Sequence, residues 1–333
     1  MDILGWLGPK AVKGLTMNER THPTRIAIVG AGNVGATYAY TLLLTGLSAE
    51  IVLIDANRAK AEGEATDLNH AVPFAHATRI WAGDFSDCAG AAITVLTAGS
   101  NQKPGETRLD MVSRNAEIWR QIIPRIVEHN PQGILLIATN PVDILTYVAL
   151  KLSGLPPERV IGSGTILDTA RFRHLLSRHF RVDARSVHAF IIGEHGDSEV
   201  PVWSLANIAG MRLEDFCRVQ GIELDSASRQ RIYEDTRDAA YHIIERKGAT
   251  YYGVASGLIR ITAAVLRNQN TVFSVSTLIR DYYGISDVCL SLPAVLNTRG
   301  VDRVLKIELD EQETTGLRRS AEVLKSTIAR IGF

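Results

Sequence analysis

The chain has 333 residues, more than one ordinary domain needs and enough for two. Lys plus Arg and Asp plus Glu stand at 36 each, so no net field draws in nucleic acid or an anionic membrane, while 46% hydrophobic and 22% charged residues fit a soluble globular protein. Three distant cysteines (Cys88, Cys217 and Cys289) without a Cys-x-x-Cys pair argue against a disulfide framework or a zinc site, and fit a reducing cytosol.

Residues 1–24 lack a basic stretch followed by a long apolar core, so an arm or tail is expected there rather than a signal peptide. No apolar run reaches the ~18 residues of a membrane span. From residue 25, short apolar runs alternate with helical patterns. "RIAIVG" (25–30), "EIVLID" (50–55), "TRIWAG" (78–83), "ITVLTA" (93–98), "ILLIATN" (134–140) and "RVIGSG" (159–164) read as strands. Most are almost continuously apolar, as strands buried on both faces of a parallel sheet are. The expected class is α/β: a Rossmann-type doubly wound parallel sheet over 25–163, then an α+β substrate-binding and catalytic domain over 164–333. In that second half a helix is expected at 165–180, a strand at 186–193, and helices over 227–246 and 254–268. Antiparallel strands follow, and an amphipathic helix closes the chain at 311–330.

"IAIVGAGNVGATYA" spaces Gly30, Gly32 and Gly35 as G-x-G-x-x-G between a strand and a helix, with Asn33 and Val34 in the same turn. Glycines allow a tight turn and close approach of backbone to a pyrophosphate, and the helix N-terminus supplies free N–H groups. Asp55 ends the next strand, where a carboxylate accepts from ribose hydroxyls and repels a 2′-phosphate. The pattern therefore favours NAD over NADP. "GTILDTARFR" puts Asp168 and Arg171 three apart on one helix face, and "IIGEHGDSEVP" carries His195 between Gly193 and Gly196, just beyond a strand end. An Asp can fix an imidazole tautomer, and an Arg presents a fork to a carboxylate. Spacing leaves open whether Asp168 and Arg171 form only a local ion pair and whether Asp168 meets His195.

Together "GAGNVG", "NQKPGETRLD", "ATNPVDILT", "GSGTILDTARFR", "IIGEHGDSEVPVW" and "KGATYYGVA" resemble the bacterial L-lactate dehydrogenases of the wider lactate/malate dehydrogenase superfamily, from about Arg25 to the C-terminus. The resemblance implies NADH-dependent reduction of pyruvate to L-lactate in cytoplasmic glycolysis and fermentation, without a metal. It implies that His195 exchanges a proton with the keto oxygen, Asp168 stabilises the imidazolium and Arg171 binds the substrate carboxylate. Arg108, on a mobile loop, polarises the carbonyl; Asn140 contacts the nicotinamide side and the substrate; Thr250 lines the pocket. Gln102 stands where malate dehydrogenases carry an arginine. Closing a lid over a second carboxylate with no paired cation should cost several kcal/mol, and about 4 kcal/mol is roughly a thousandfold.

"RFRHLL" and "SVHAFIIGEHG" place Arg173 and His188 where fructose 1,6-bisphosphate-activated members bind their effector at a subunit interface, which implies activation and a homo-oligomer, a tetramer by family habit. The alternatives are a malate or another L-2-hydroxyacid dehydrogenase, and a non-catalytic NAD-binding scaffold. His195 and Arg171, both present, weigh against the scaffold. No nucleic-acid or membrane partner is expected.

Overall fold

Arg25–Val29 (β1) opens a sheet whose first strands are buried almost throughout. The computed structural model describes residues 24–100 and 107–333. From β1 the chain runs through Asn33–Thr45 (α1), Glu50–Ile54 (β2), Arg58–Ala71 (α2), Arg79–Ala82 (β3), Ile93–Leu96 (β4), Arg108–His129 (α3), Ile134–Ile137 (β5), Val142–Ser153 (α4) and Val160–Gly162 (β6). All neighbouring pairs among these strands are parallel, and their order is β6-β5-β4-β1-β2-β3. The order reverses between β1 and β4, which leaves a crevice at their C-terminal ends.

Past β6 the chain forms Ile166–Phe180 (α5) and four two-residue strands: Val187–His188 (β7), Ile191–Ile192 (β8), Val200–Pro201 (β9) and Asn207–Ile208 (β10). Met211–Arg212 (β11), Leu213–Gln220 (α6), Ser226–Arg237 (α7), Ala239–Lys247 (α8) and Tyr252–Leu266 (α9) follow. Thr271–Ile279 (β12), Val288–Asn297 (β13), Gly300–Val304 (β14) and Glu311–Arg330 (α10) complete it. Strands β12 to β14 are antiparallel, as their sequence suggests. They do not stand apart, however: β12 pairs with β6 through Ser276 and Gly162, so one nine-stranded sheet runs through both halves. A Cβ at Gly162 would lie 2.3 Å from Thr146 Oγ1 and 2.8 Å from Ser276 Cβ, so the junction closes only around glycine.

Two sequence expectations need correction. The strand expected over 186–193 is two short strands in different sheets, β7 on β10 and β8 on β9. The cause is competition for backbone groups. Arg173 Nε donates to the Ala189 carbonyl (2.9 Å), while the Ile191 carbonyl accepts from Thr165 Oγ1 (2.6 Å) and Ile191 N donates to Thr169 Oγ1 (3.0 Å). The helix expected over 227–246 is divided into α7 and α8 at Asp238, whose N–H still donates to Glu234 and whose carbonyl still accepts from His242 N, while its carboxylate pairs with Arg237 at 2.7 and 2.8 Å.

Candidate active site

The crevice beside β1 holds a cavity of about 660 Å3 lined by Gly30, Gly32, Asp55, Thr97, Ser100 and other residues. The three glycines of the turn after β1 do different work. Gly30 has φ +111°, and a Cβ there would lie 2.5 Å from the Ala98 backbone nitrogen. A Cβ on Gly35 would sit 2.0 Å from the Gly30 carbonyl oxygen, so that glycine lets α1 pack on the turn. Gly32 is unlike both. Its φ of −77° suits any residue, and no protein atom lies within 4 Å of where a Cβ would be. What glycine preserves at position 32 is room for a ligand, as a dinucleotide approaching the uncapped start of α1 at Asn33, Val34 and Gly35 requires.

Asp55 is fixed by the same turn: Oδ2 accepts from Ala31 N (2.7 Å) and Oδ1 from Asn57 N (2.8 Å). The glycine turn and the Asp55 carboxylate are thus fixed to one another directly. Gly32→Ala is expected to weaken NADH at least tenfold, since a methyl fills the approach, while melting stays near that of the parent. Gly30→Ala is expected to lose about 2 kcal/mol or more of stability through its positive φ and the Ala98 clash. Paired NADH titrations and melting curves check this; equal destabilisation by the two changes would refute the distinction.

His195 follows β8 and is held by four separate elements. Thr165, just before α5, and Thr169 of α5 bind Ile191 of β8. Gly193 exchanges two backbone hydrogen bonds with Ser291 of β13, and Glu194 N donates to Ser320 Oγ of α10 (2.5 Å). His195 N itself donates to Asp143 Oδ2 on α4 (2.7 Å). The imidazole Nδ1 lies 2.5 Å from Asp168 Oδ2, and the other carboxylate oxygen accepts from Arg171 Nη1 at 2.8 Å. Asp168 therefore makes both contacts at once, the helical pair with Arg171 and the long-range one with His195. Its side chain is 3% exposed, against 13% for Arg171 and 21% for His195.

Burial alone would push His195 down. The Asp168 carboxylate, by charge and hydrogen bond, outweighs it and lifts the imidazole to about 9. Burial in turn would raise Asp168, but His195 and Arg171 hold it below the usual carboxylate range. The result is an imidazole that holds its proton through neutral pH with Nδ1 engaged by Asp168.

Other expected site residues are placed less fully. Asn140 precedes α4, and its Oδ1 accepts from Val142 N at 3.3 Å. Thr250 sits half-buried in the loop between α8 and α9. Arg173 is half-buried, its pKa pushed down by burial, on the carbonyl of Ala189, the residue after exposed His188. Gln102 lies outside the described residues. Of Arg108 only the backbone is described, as the first residue of α3, capped by Thr107 and Asp110.

Sequence reasoning missed two carboxylates. Asp143, fully buried in α4 and raised to about 6 by burial, fixes the His195 backbone. Its signal was available: a lone acid in the apolar run "PVDILTYVAL". Glu199, four residues beyond His195, is 4% exposed. Nothing in its local spacing marks it.

Residues 24–162 match the family of lactate/malate dehydrogenase NAD binding domains, and residues 165–332 match the lactate/malate dehydrogenase alpha/beta C-terminal domain. The chain is 53% identical over 312 residues to an L-lactate dehydrogenase of Acetivibrio thermocellus, covering 94% of this chain and 98% of that one. It is 54% identical to an L-lactate dehydrogenase of Priestia megaterium, covering 91% and 95% respectively. Among solved structures, a lactate dehydrogenase from a Medee basin deep-sea metagenome superposes with a TM-score of 0.91 at 46% identity, over 93% of this chain and 99% of that one. The minor L-lactate dehydrogenase of Enterococcus mundtii gives 0.90 at 40% identity, over 92% and 98%.

Proposed function

Because the chain belongs to the lactate/malate dehydrogenase family and is an NAD-dependent oxidoreductase, we propose that its reaction is the reversible reduction of pyruvate to L-lactate. The observation that carries this is the buried array in which Asp168 binds His195 and Arg171 simultaneously. The names of the relatives point to the same substrate pair. Residues 25–163 serve the cofactor and 164–333 the substrate, with 1–24 an extension.

Bound NADH supplies a hydride to the keto carbon. As charge develops on the keto oxygen, His195 delivers the proton from Nε2, and the neutral imidazole keeps its Nδ1–H on Asp168. In the reverse direction neutral His195 takes the hydroxyl proton of lactate. Asp168 occupies one of Arg171's five N–H donors, which leaves the fork able to take the substrate carboxylate. The family resemblance assigns Asn140 and Thr250 to the substrate pocket, polarisation of the carbonyl to Arg108 and the choice between pyruvate and a dicarboxylate to Gln102.

Arg173 and His188, brought to neighbouring backbone positions on α5 and β7, are the proposed site for fructose 1,6-bisphosphate. Tyr40 and Leu44 on α1 are 46% and 49% exposed, and Tyr252 on α9 is 67% exposed; α1 and α9 pack together through Tyr38 and Thr262. These exposed apolar side chains support a homo-oligomer, proposed as a tetramer. Three free cysteines fit a cytoplasmic setting.

Among the described residues no helix is long and apolar enough to cross a membrane.

The test follows NADH oxidation with pyruvate and with oxaloacetate, each with and without the bisphosphate. A kcat/KM preference for pyruvate of about a hundredfold or more is expected, together with half-saturation at lower pyruvate when the bisphosphate is present. Comparable values for the two acids would make this a malate or broader 2-hydroxyacid dehydrogenase. A pyruvate curve unmoved by millimolar bisphosphate would remove the effector.

A further inference from the structure

Glu199 sits in the turn after His195, and its backbone is pinned on both sides. Its N–H donates to the Gly196 carbonyl (3.1 Å), and its carbonyl accepts from the Tyr233 hydroxyl of α7 (2.9 Å). The side chain is enclosed by the surrounding protein. It is 4% exposed, and Oε1 is buried with no hydrogen-bond partner among the described residues.

The charges that face it do not favour a carboxylate. Asp168 of α5 adds a like charge. The cations Arg171 of α5 and Arg237 of α7 are each paired with another acid, Arg171 with Asp168 at 2.8 Å and Arg237 with Asp238 at 2.7 Å. His195, from the same turn, is drawn to Asp168 and feels Asp143 of α4 as well. From α10, Glu313 and Arg319 line the same cavity of about 640 Å3 as Glu199, Tyr233 and Arg237. A buried acid with an unpartnered oxygen, a negative neighbour and already committed cations is most stable with its proton on.

We propose that Glu199 is a positioning residue held as an uncharged carboxylic acid beside the His195–Asp168 couple, and that its ionisation in alkaline solution makes His195 keep its proton to higher pH. The reading of His195 as proton donor is the part taken from the proposed function. Burial, then Asp168, raises Glu199 to about 9, the range in which His195 itself titrates. Two groups of opposite charge that titrate together share their steps. A Glu199 carboxylate attracts the imidazolium, so loss of the His195 proton is spread over a wider range than for an isolated group. With a glutamine at 199 that attraction is gone. The alkaline fall of pyruvate reduction then moves to lower pH and steepens to a single titration, while lactate oxidation, which needs neutral imidazole, reaches its plateau earlier. Both profiles thus shift to lower pH, so at a fixed alkaline pH one direction slows while the other quickens, which a merely structural defect would not produce.

The experiment has two readouts on the full chain. Infrared difference spectra of the substrate-free protein between pH 7.5 and 10.5 are expected to lose a protonated-carboxyl carbonyl band with a midpoint near 9. That band is expected to be absent from Glu199→Gln and present in Glu199→Asp. Profiles of kcat/KM for pyruvate are expected to show the alkaline limb of Glu199→Gln lowered by about half a pH unit or more, with Glu199→Asp restoring the broad limb. A missing band in the parent protein, or a limb that glutamine leaves in place, overturns the proposal. The infrared titration needs no substrate. A protein that shows the band but does not reduce pyruvate would therefore contradict the proposed function and leave Glu199's protonation standing.

Discussion

His195→Gln is expected to lower kcat for pyruvate reduction by about 10²- to 10⁴-fold, the usual contribution of a positioned general acid, and to leave NADH binding within about twofold. Glutamine fills similar space and can keep a hydrogen bond to Asp168, but it has no proton to give to the keto oxygen. The pH dependence of the parent enzyme follows from the same group. With the folded imidazole at about 9, above its ordinary 6.5, the proton donor is present at neutral pH and is lost as pH rises through the folded value. Pyruvate reduction should therefore be flat near neutrality and fall in alkaline solution, and lactate oxidation should rise over that range. Both trends should be missing from the residual activity of His195→Gln. Stopped-flow turnover and NADH fluorescence titration check the pair of statements. A variant that retains more than a tenth of the parent kcat would show that another group supplies the proton.

Arg171→Lys is expected to cut kcat/KM for pyruvate by about 10- to 150-fold, mostly through KM. A lysine keeps the charge but replaces the planar fork with a point, so one of two parallel charge-assisted bonds to the substrate carboxylate is lost. Such a bond is worth about 1.5–3 kcal/mol, and each 1.4 kcal/mol is tenfold. The site's geometry deepens the loss. Arg171 already spends one N–H on Asp168, and at 13% exposure little water can stand in for a missing donor. Steady-state kinetics with NADH saturating measure this, and a KM within threefold of the parent would place the carboxylate elsewhere.

Much of the protein is legible in its amino-acid sequence. Strands buried on both faces read as unbroken apolar runs, so β1, β2, β4 and β5 stand out along the chain. The glycine turn and Asp55 can be paired because one βαβ unit spans them, and Ala31 N on Asp55 shows how short that connection is. The capped closing helix over 311–330 is equally plain, since Asp310 and Glu313 form a reciprocal cap. Local spacing does not mark Asp238, where one helical pattern is divided into α7 and α8. It fails again at residues 186–193, where groups on α5 take the backbone bonds that one continuous ladder would have used.

Of the reactive residues, the chain's own pattern names His195, Asp168 and Arg171 but leaves their meeting open. Asp168 and His195 are 27 positions apart, and only the packing of α5 on β8 through Thr165 and Thr169 brings them to 2.5 Å. Asp143 and Glu199 are beyond its reach for a related reason. What makes each of them matter is its desolvation and its charged neighbours, and both depend on side chains delivered by other elements. Sequence by itself determined what recurs within a few residues: the two-faced strands, the phosphate turn and the residue types of the site. The tertiary structure decided what depends on distance and on exclusion of water. It joined the two halves through one sheet at Gly162 and Ser276 and placed Asp168 between His195 and Arg171, because electrostatic contact and burial act through space rather than along the chain.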